Sequence, residues 1–204
     1  MVRRLAAAVV LSVLSARAAQ ADEPARSTLS VAVTSGASLP APSTALGVGL
    51  SVGLAASWRP RAAHGWLSLG LGVDASQRSA HGSGTDGDLA FDWRTVAREL
   101  WIAPELRLHV PLAPGLGVSL GAGPALVLVG TENGGALAGD PFADGRESSR
   151  VLGLRAGVGA EWSVGGGALV LDVAYGRARL SQVATGADAH LDAIAVRAGY
   201  RFWF

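Results

Sequence analysis

From Ile194 to Phe204 every second residue is apolar or aromatic: Ile194, Val196, Ala198, Tyr200, Phe202 and Phe204. The residues between them, Ala195, Arg197, Gly199, Arg201 and Trp203, are small, charged or indole. A period of two is that of a strand with one greasy face. Chain ends are ordinarily frayed and polar. An aromatic strand over Leu191–Phe204 therefore constrains the fold more than any other stretch. Read alone, it fits either a strand in a membrane or the edge of a soluble sandwich.

The same alternation recurs upstream. It marks Leu29–Thr34, Leu46–Trp58, Trp66–Ser76, Glu99–Leu112, Leu116–Val129, Val151–Ser163 and Ala168–Arg177, which with the last strand make eight. Leu116–Val129 is typical: Leu116, Val118, Leu120, Ala122, Pro124, Leu126 and Leu128 alternate with Gly117, Ser119, Gly121 and Gly123 among others. Strands of about ten residues suit a tilted crossing of a hydrocarbon layer. The connections alternate as well. Ser35–Ala45, Gln77–Arg98, Gly130–Arg150 and Ala178–His190 read as long polar loops, while Arg59–Gly65, Ala113–Gly115 and Val164–Gly167 are short. No apolar run of helical transmembrane length follows the first residues.

Met1–Ala21 reads as a secretory signal peptide. Arg3 and Arg4 open it, Leu5–Leu14 is an apolar run too short to span a bilayer, and Ala19-Gln20-Ala21 is a small-x-small cleavage site. Asp22–Ser27 is a short polar leader, which leaves 28–204 as a single barrel domain. The 17 basic residues are all arginines, set against 16 acids. The signal segment holds three of those arginines and no acid, so the remainder carries 14 − 16 = −2. Neither that balance nor any basic patch suits nucleic acid. The absence of lysine rules out a P-loop, and the absence of cysteine rules out disulfides, thiolate metal sites and a Cys-anchored lipoprotein.

Tyr200, Phe202 and Phe204 match the C-terminal strand of bacterial outer-membrane barrels, which commonly closes on Phe with aromatics at alternate positions. Over nearly all of 28–204 the chain resembles the small eight-stranded outer-membrane barrels of OmpA and OmpX type. The resemblance implies an all-β, antiparallel, up-and-down transmembrane barrel in a Gram-negative outer membrane. It also implies engagement of the barrel-assembly machinery through the C-terminal strand. In lipid, closure is required, because an open edge would leave backbone groups unpaired.

Alternation does not say which face meets lipid, since a soluble lipocalin-like barrel buries its apolar face inside. The polar face decides. It is rich in glycine and carries Glu99, Glu105, Arg107, His109, Arg155, Glu161, Asp172, Arg197 and Arg201. That is a poor soluble surface but a fitting narrow lumen, since eight strands leave room only for packed side chains. Trp101 should help to fill it, and opposite charges should pair. The lumen is expected to be a polar plug; a gated pore is the alternative.

Two belts are expected on the apolar face. Trp58, Trp162, Phe202 and Phe204 fall at strand ends on the short-turn side, where ring side chains favour the interface. At the opposite end the same parity reaches Arg98, Arg150 and Arg177. An arginine fork there is placed to bind lipid phosphate, as on lipopolysaccharide.

Gly49–Gly53 and Gly117–Gly121 match the hydrolase pattern G-x-S-x-G, and Gly70–Ala75 loosely matches a dinucleotide fingerprint. The first needs a sharp strand-to-helix turn at the serine and the second must open a helix. Both lie in or after uninterrupted alternation, so neither catalysis nor a cofactor is expected. His81, Ser83, Asp86, Asp88 and Asp92 cluster in one long connection. They could form a lipid-modifying His/Ser site, such as some eight-stranded outer-membrane enzymes use, or a loose Ca²⁺ site. The expectation is a solvated loop, as it is for Asp140, Asp144 and Glu147. Three functions stay open: a non-enzymatic barrel acting through its extracellular loops on an unknown ligand, a lipid-modifying enzyme, and a narrow channel.

Overall fold

The computed structural model describes residues 28–40, 46–63, 65–86, 89–182 and 187–204. Residues 1–27, expected to be signal peptide and leader, lie outside the described residues, as do Asp88 and the side chains of Asp86 and Asp144.

Eight antiparallel strands close into one barrel, each paired with its sequence neighbours and β1 with β8. They are β1 (Thr28–Pro40), β2 (Gly49–Arg59), β3 (Leu67–Asp86), β4 (Leu89–Ala113), β5 (Leu116–Leu137), β6 (Asp140–Val164), β7 (Gly167–Gln182) and β8 (Ala187–Trp203). A 3-10 turn over Arg61–Ala63 joins β2 to β3. The other two connections at that end are two-residue turns, in which Gly115 and Gly165 take φ of 73° and 60°. Among the described residues no helix is long and apolar enough to cross a membrane; strands do the crossing.

Side chains sort by parity. On β5, Ser119 is 1 % exposed and Leu120 is 55 % exposed. The same split runs round the barrel. Ser51, Ser68, Asp74, Asp172 and Arg197 are buried within, while Leu54, Leu71, Leu106, Leu154 and Leu171 are exposed without. An apolar band that encircles the molecule far exceeds the patches water tolerates on a monomer. It faces lipid.

The connections expected as loops at 77–98 and 130–150 are not loops. β3 and β4 continue through the first as a hairpin, with pairing from Gln77↔Arg98 up to Asp86↔Leu89. β5 and β6 continue through the second to a tight turn at Ala138-Gly139, where both residues take positive φ. The same correction applies in small measure to 35–45 and 178–190, since β1 runs to Pro40, β7 to Gln182 and β8 back to Ala187. A tilted crossing needs about 9–11 residues, which β2 supplies with 11. β4 and β6 have 25 each, so nearly half of each stands beyond the membrane. Because β4 also pairs with β5 from Arg98↔Gly130 to Phe91↔Leu137, the two hairpins form one four-stranded sheet that projects from one side of the barrel.

The cause is solvent. Inside the membrane one face of a strand is greasy and the other polar, which writes the alternation. Above it both faces are wet, and the backbone ladder continues without that pattern. Asp92 illustrates the change of role. Its Oδ1 accepts a hydrogen bond from the Ala136 backbone at 2.7 Å, fastening one hairpin to the other.

Candidate functional site

Several of the lumen charges lie opposite glycine. Arg107 pairs in register with Gly121, Arg155 with Gly123 and Gly176, Asp172 with Gly159, Arg197 with Gly36, and Glu105 with Gly70. A narrow barrel can hold long charged side chains only where their neighbours have none, so glycine content and lumen charge go together.

These five side chains and Asp74 form a closed ring of alternating sign. Asp74 contacts Arg155, and Arg155 contacts Glu105 at 3.1 Å. Glu105 meets Arg107 at 2.9 Å, and Arg107 meets Asp172 at 3.5 Å. Arg197 joins Asp172 back to Asp74. Three acids and three arginines leave no net charge, which makes their burial tolerable. The space beside the ring is a cavity of about 30 Å³ lined by Ser38, Ser51, Asp74, Trp101, Arg155 and Arg197. That is the scale of one or two water molecules.

A second cluster lies toward the short-turn end. Glu161 contacts Arg201 and, at 3.2 Å, Arg59. Arg59 also approaches His109 Nδ1 at 3.1 Å, while His109 Nε2 and Ser68 Oγ are 2.8 Å apart. A guanidinium can only donate, so Nδ1 accepts and Nε2 carries the proton donated to Ser68. The 3.6 Å approach of His109 to Glu161 is then not an ion pair.

Toward the projecting sheet the plug turns apolar. Trp101, Val127, Val129, Ala178, Leu180 and Leu191 pack together inside the barrel. One buried pair caps them: Arg78 Nε donates to Glu99 Oε1 at 3.0 Å, and Trp101 Nε1 donates to Glu99 Oε2 at 3.0 Å. The Trp101 ring lies over Gly176, where an added Cβ would stand 2.7 Å from ring carbons. A tryptophan this buried cannot step aside. Gly176→Val should therefore cost about 1–3 kcal/mol, read as a lowered urea midpoint of the protein refolded in lipid vesicles. An unchanged midpoint would mean that the ring has another place to go.

All nine lumen residues expected from the sequence thus lie inside, and their partners include three that the sequence pattern leaves outside the network. Arg59 and Arg78 fall in connections by that pattern; each has the parity of the lumen face of its strand. Asp74 falls on that face but without a partner. The four aromatics Trp58, Trp162, Phe202 and Phe204 are exposed and lie at the short-turn end. Trp58 is level with Leu29, whose carbonyl accepts the Phe204 amide, and Trp162 is level with Leu116 and Leu169. Nearby, Tyr200 packs edge-on against Phe202 with ring centroids 4.8 Å apart.

Arg98, Arg150 and Arg177 are exposed on the outer face. Arg98 meets Glu132 at 2.8 Å. Arg177 lies 3.6 Å from Asp192, which also accepts a hydrogen bond from the Tyr175 hydroxyl at 3.1 Å.

The two G-x-S-x-G stretches lie within β2 and β5, with Ser51 and Ser119 facing the lumen and no turn at either serine. His81 and Ser83 stand on one exposed face of β3, and among the described residues no hydrogen bond joins them. Among those residues, too, no group of three His, Asp or Glu side chains could hold a metal ion.

Several solved structures are similar in fold. Neisserial surface protein A is 14 % identical, over 87 % of this chain and 97 % of that one, with a TM-score of 0.49. A major outer membrane protein from Thermus thermophilus is 17 % identical, over 88 % and 100 %, at 0.49. The N-terminal β-barrel domain of Pseudomonas aeruginosa OprF is 12 % identical, over 87 % and 97 %, at 0.45. A search of curated proteins returns no match. The family model for the outer membrane protein beta-barrel domain matches residues 6–202, nearly the whole chain. With its closed eight-stranded architecture, its lipid-facing band and that match, the chain belongs to the outer membrane protein beta-barrel domain family.

Proposed function

We propose that this protein is a non-conducting, non-enzymatic outer-membrane barrel whose working surface is the projecting sheet of β3–β6. The observation that carries the reading is the six-membered charge ring. Its members come from β3, β4, β6, β7 and β8, so it ties the strands to one another across the lumen. A pore would need that space for a continuous water path. With the interior committed to holding the barrel together, contact with other molecules falls to the part that stands clear of the membrane. The role is thus structural, or one of surface interaction with an extracellular ligand.

Planar-bilayer recording of the refolded protein tests the reading. No discrete conductance steps are expected from the wild type. Stable ohmic steps whose size changes in an Arg155→Ala variant would show a conducting lumen and overturn the proposal.

A further inference from the structure

The outer face of the projecting sheet carries a feature that a plugged barrel does not require. Two depressions lie on it, one above the other. The lower is a groove of about 780 Å³ walled by Leu50, Val52, Leu100 and Leu128, with Arg98 and Arg150 at its margin. The upper is a polar basin of about 880 Å³ that includes His81, Asp92, Arg94 and Arg146. Gln77 and Arg98 line both, so the two are continuous.

Register and strand tilt together fix their height. Leu50, Gln77, Arg98, Gly130 and Ser148 form one row across five strands. Leu50 is eight residues along β2 from Trp58, at the short-turn end. At a rise of about 3.3 Å per residue and a tilt of about 40°, Leu50 stands roughly 20 Å above that tryptophan. The row climbs with the tilt, leaving β3 at Leu67 and returning to it at Gln77 after one circuit of the barrel, so Arg98, two strands on, stands about 6 Å higher than Leu50. The apolar band of such barrels is about 25 Å tall. The groove therefore sits in the outermost hydrocarbon, and the basin sits among head groups.

Charge follows the same division. Four arginines on this face, Arg94, Arg98, Arg146 and Arg150, meet two acids, Glu132 and Asp92, a balance of 4 − 2 = +2. Glu132 is shared between Arg98 at 2.8 Å and Arg146 at 3.6 Å. Among the described residues Arg94 and Arg150 have no ion-pair partner. Arg177, on the neighbouring strand β7 and tied to Asp192, does not line the groove.

We propose that groove and basin form one binding site for a phosphorylated glycolipid of the outer leaflet. Its acyl chain lies along Leu50, Val52, Leu100 and Leu128. A head-group phosphate sits between Arg98 and Arg150, whose planar forks can each bind two phosphate oxygens. The sugars rise into the basin beside His81, Arg94 and Arg146. Lipopolysaccharide has this chemistry: acyl chains below, phosphates at the interface and sugars above.

The test uses protein refolded without lipid and titrated in detergent with diphosphorylated lipid A, with bound lipid counted by native mass spectrometry. The double variant Arg98→Gln/Arg150→Gln should bind at least tenfold more weakly, with an unchanged urea midpoint, because exposed ion pairs contribute little to folding. Glu132→Gln, which releases Arg98 and Arg146, should bind more tightly, a gain that misfolding cannot mimic. Arg177→Gln should bind as the wild type does. Dephosphorylated lipid A should bind weakly, and excess inorganic phosphate should not displace the lipid. Equal binding by the double variant, equal loss in Arg177→Gln, weaker binding by Glu132→Gln, or displacement by free phosphate would each overturn the site.

Discussion

Replacing Arg197 with leucine should destabilise the folded barrel by about 3–5 kcal/mol. Arg197 is 3 % exposed and contacts Asp74 and Asp172 at once. Leucine can fill much of the volume but supplies no charge. The ring is left with Asp74, Glu105 and Asp172 against Arg107 and Arg155, a net −1 in a largely buried site. That unpaired charge, rather than the lost contact, is the source of the cost. Adding Asp74→Asn returns the ring to neutrality, two acids against two arginines, and should recover at least half of the loss. Urea titrations in vesicles, followed by tryptophan fluorescence, give both differences. A double variant no more stable than Arg197→Leu would mean that Arg197 acts by packing and not by charge.

The parity of the lumen was legible in the sequence because lipid is an unforgiving solvent. A strand with hydrocarbon on one side must alternate, so Leu116–Val129 or Ala168–Arg177 could be assigned a face residue by residue. The ring could not be read in the same way. Which acid meets which arginine depends on the stagger between strands, which alternation does not encode. Asp74 and Arg155 lie on β3 and β6, well apart in the barrel wall, and meet only because closure brings them face to face across the lumen. Arg78 was hidden for another reason. It follows Gln77, where the apolar face fades into polar residues, so the alternation stops just before it. The glycines offered a usable signal. Long charged residues on lumen strands often have a glycine beside them on the neighbouring strand, as at Arg107↔Gly121 and Asp172↔Gly159, while Arg201 lies between the small residues Ala32 and Ala168.

The projecting sheet was not legible at all. QRSAHGSGTDGD, which begins on β3, reads as a loop by composition, being rich in Gly, Ser and Asp and without alternation. What makes its β3 part a strand is its position. It continues a ladder already set within the membrane, and a partner lies alongside it in register from Arg78↔Ala97 to Asp86↔Leu89. Each added pair costs only local chain entropy, because the strands are already held together. Local sequence preference therefore decides little there, and the same freedom lets this face carry arginines and a basin.

The facing of the strands has a direct energetic test. Leu120→Arg should destabilise the barrel by about 2–4 kcal/mol, the cost of an arginine against hydrocarbon near the middle of the membrane. The hydrogen-bonded row through Leu120 reads Leu67, Leu108, Leu120, Val158, Val173 and Val196. No acid in that row can pair with the new charge. Leu112 has the same parity and is also exposed, but it lies beside the turn at Pro114-Gly115, where a long side chain reaches water. Leu112→Arg should therefore cost only about 0–1 kcal/mol. The difference between the two variants isolates depth, since both make the same chemical change. The chain lacks cysteine, so single-cysteine labels at 119 and 120 add a geometric check. A lipid-soluble quencher should reach the label at 120 and not the one at 119. Equal costs at 112 and 120, or quenching at 119 alone, would place the apolar face of β5 somewhere other than in lipid.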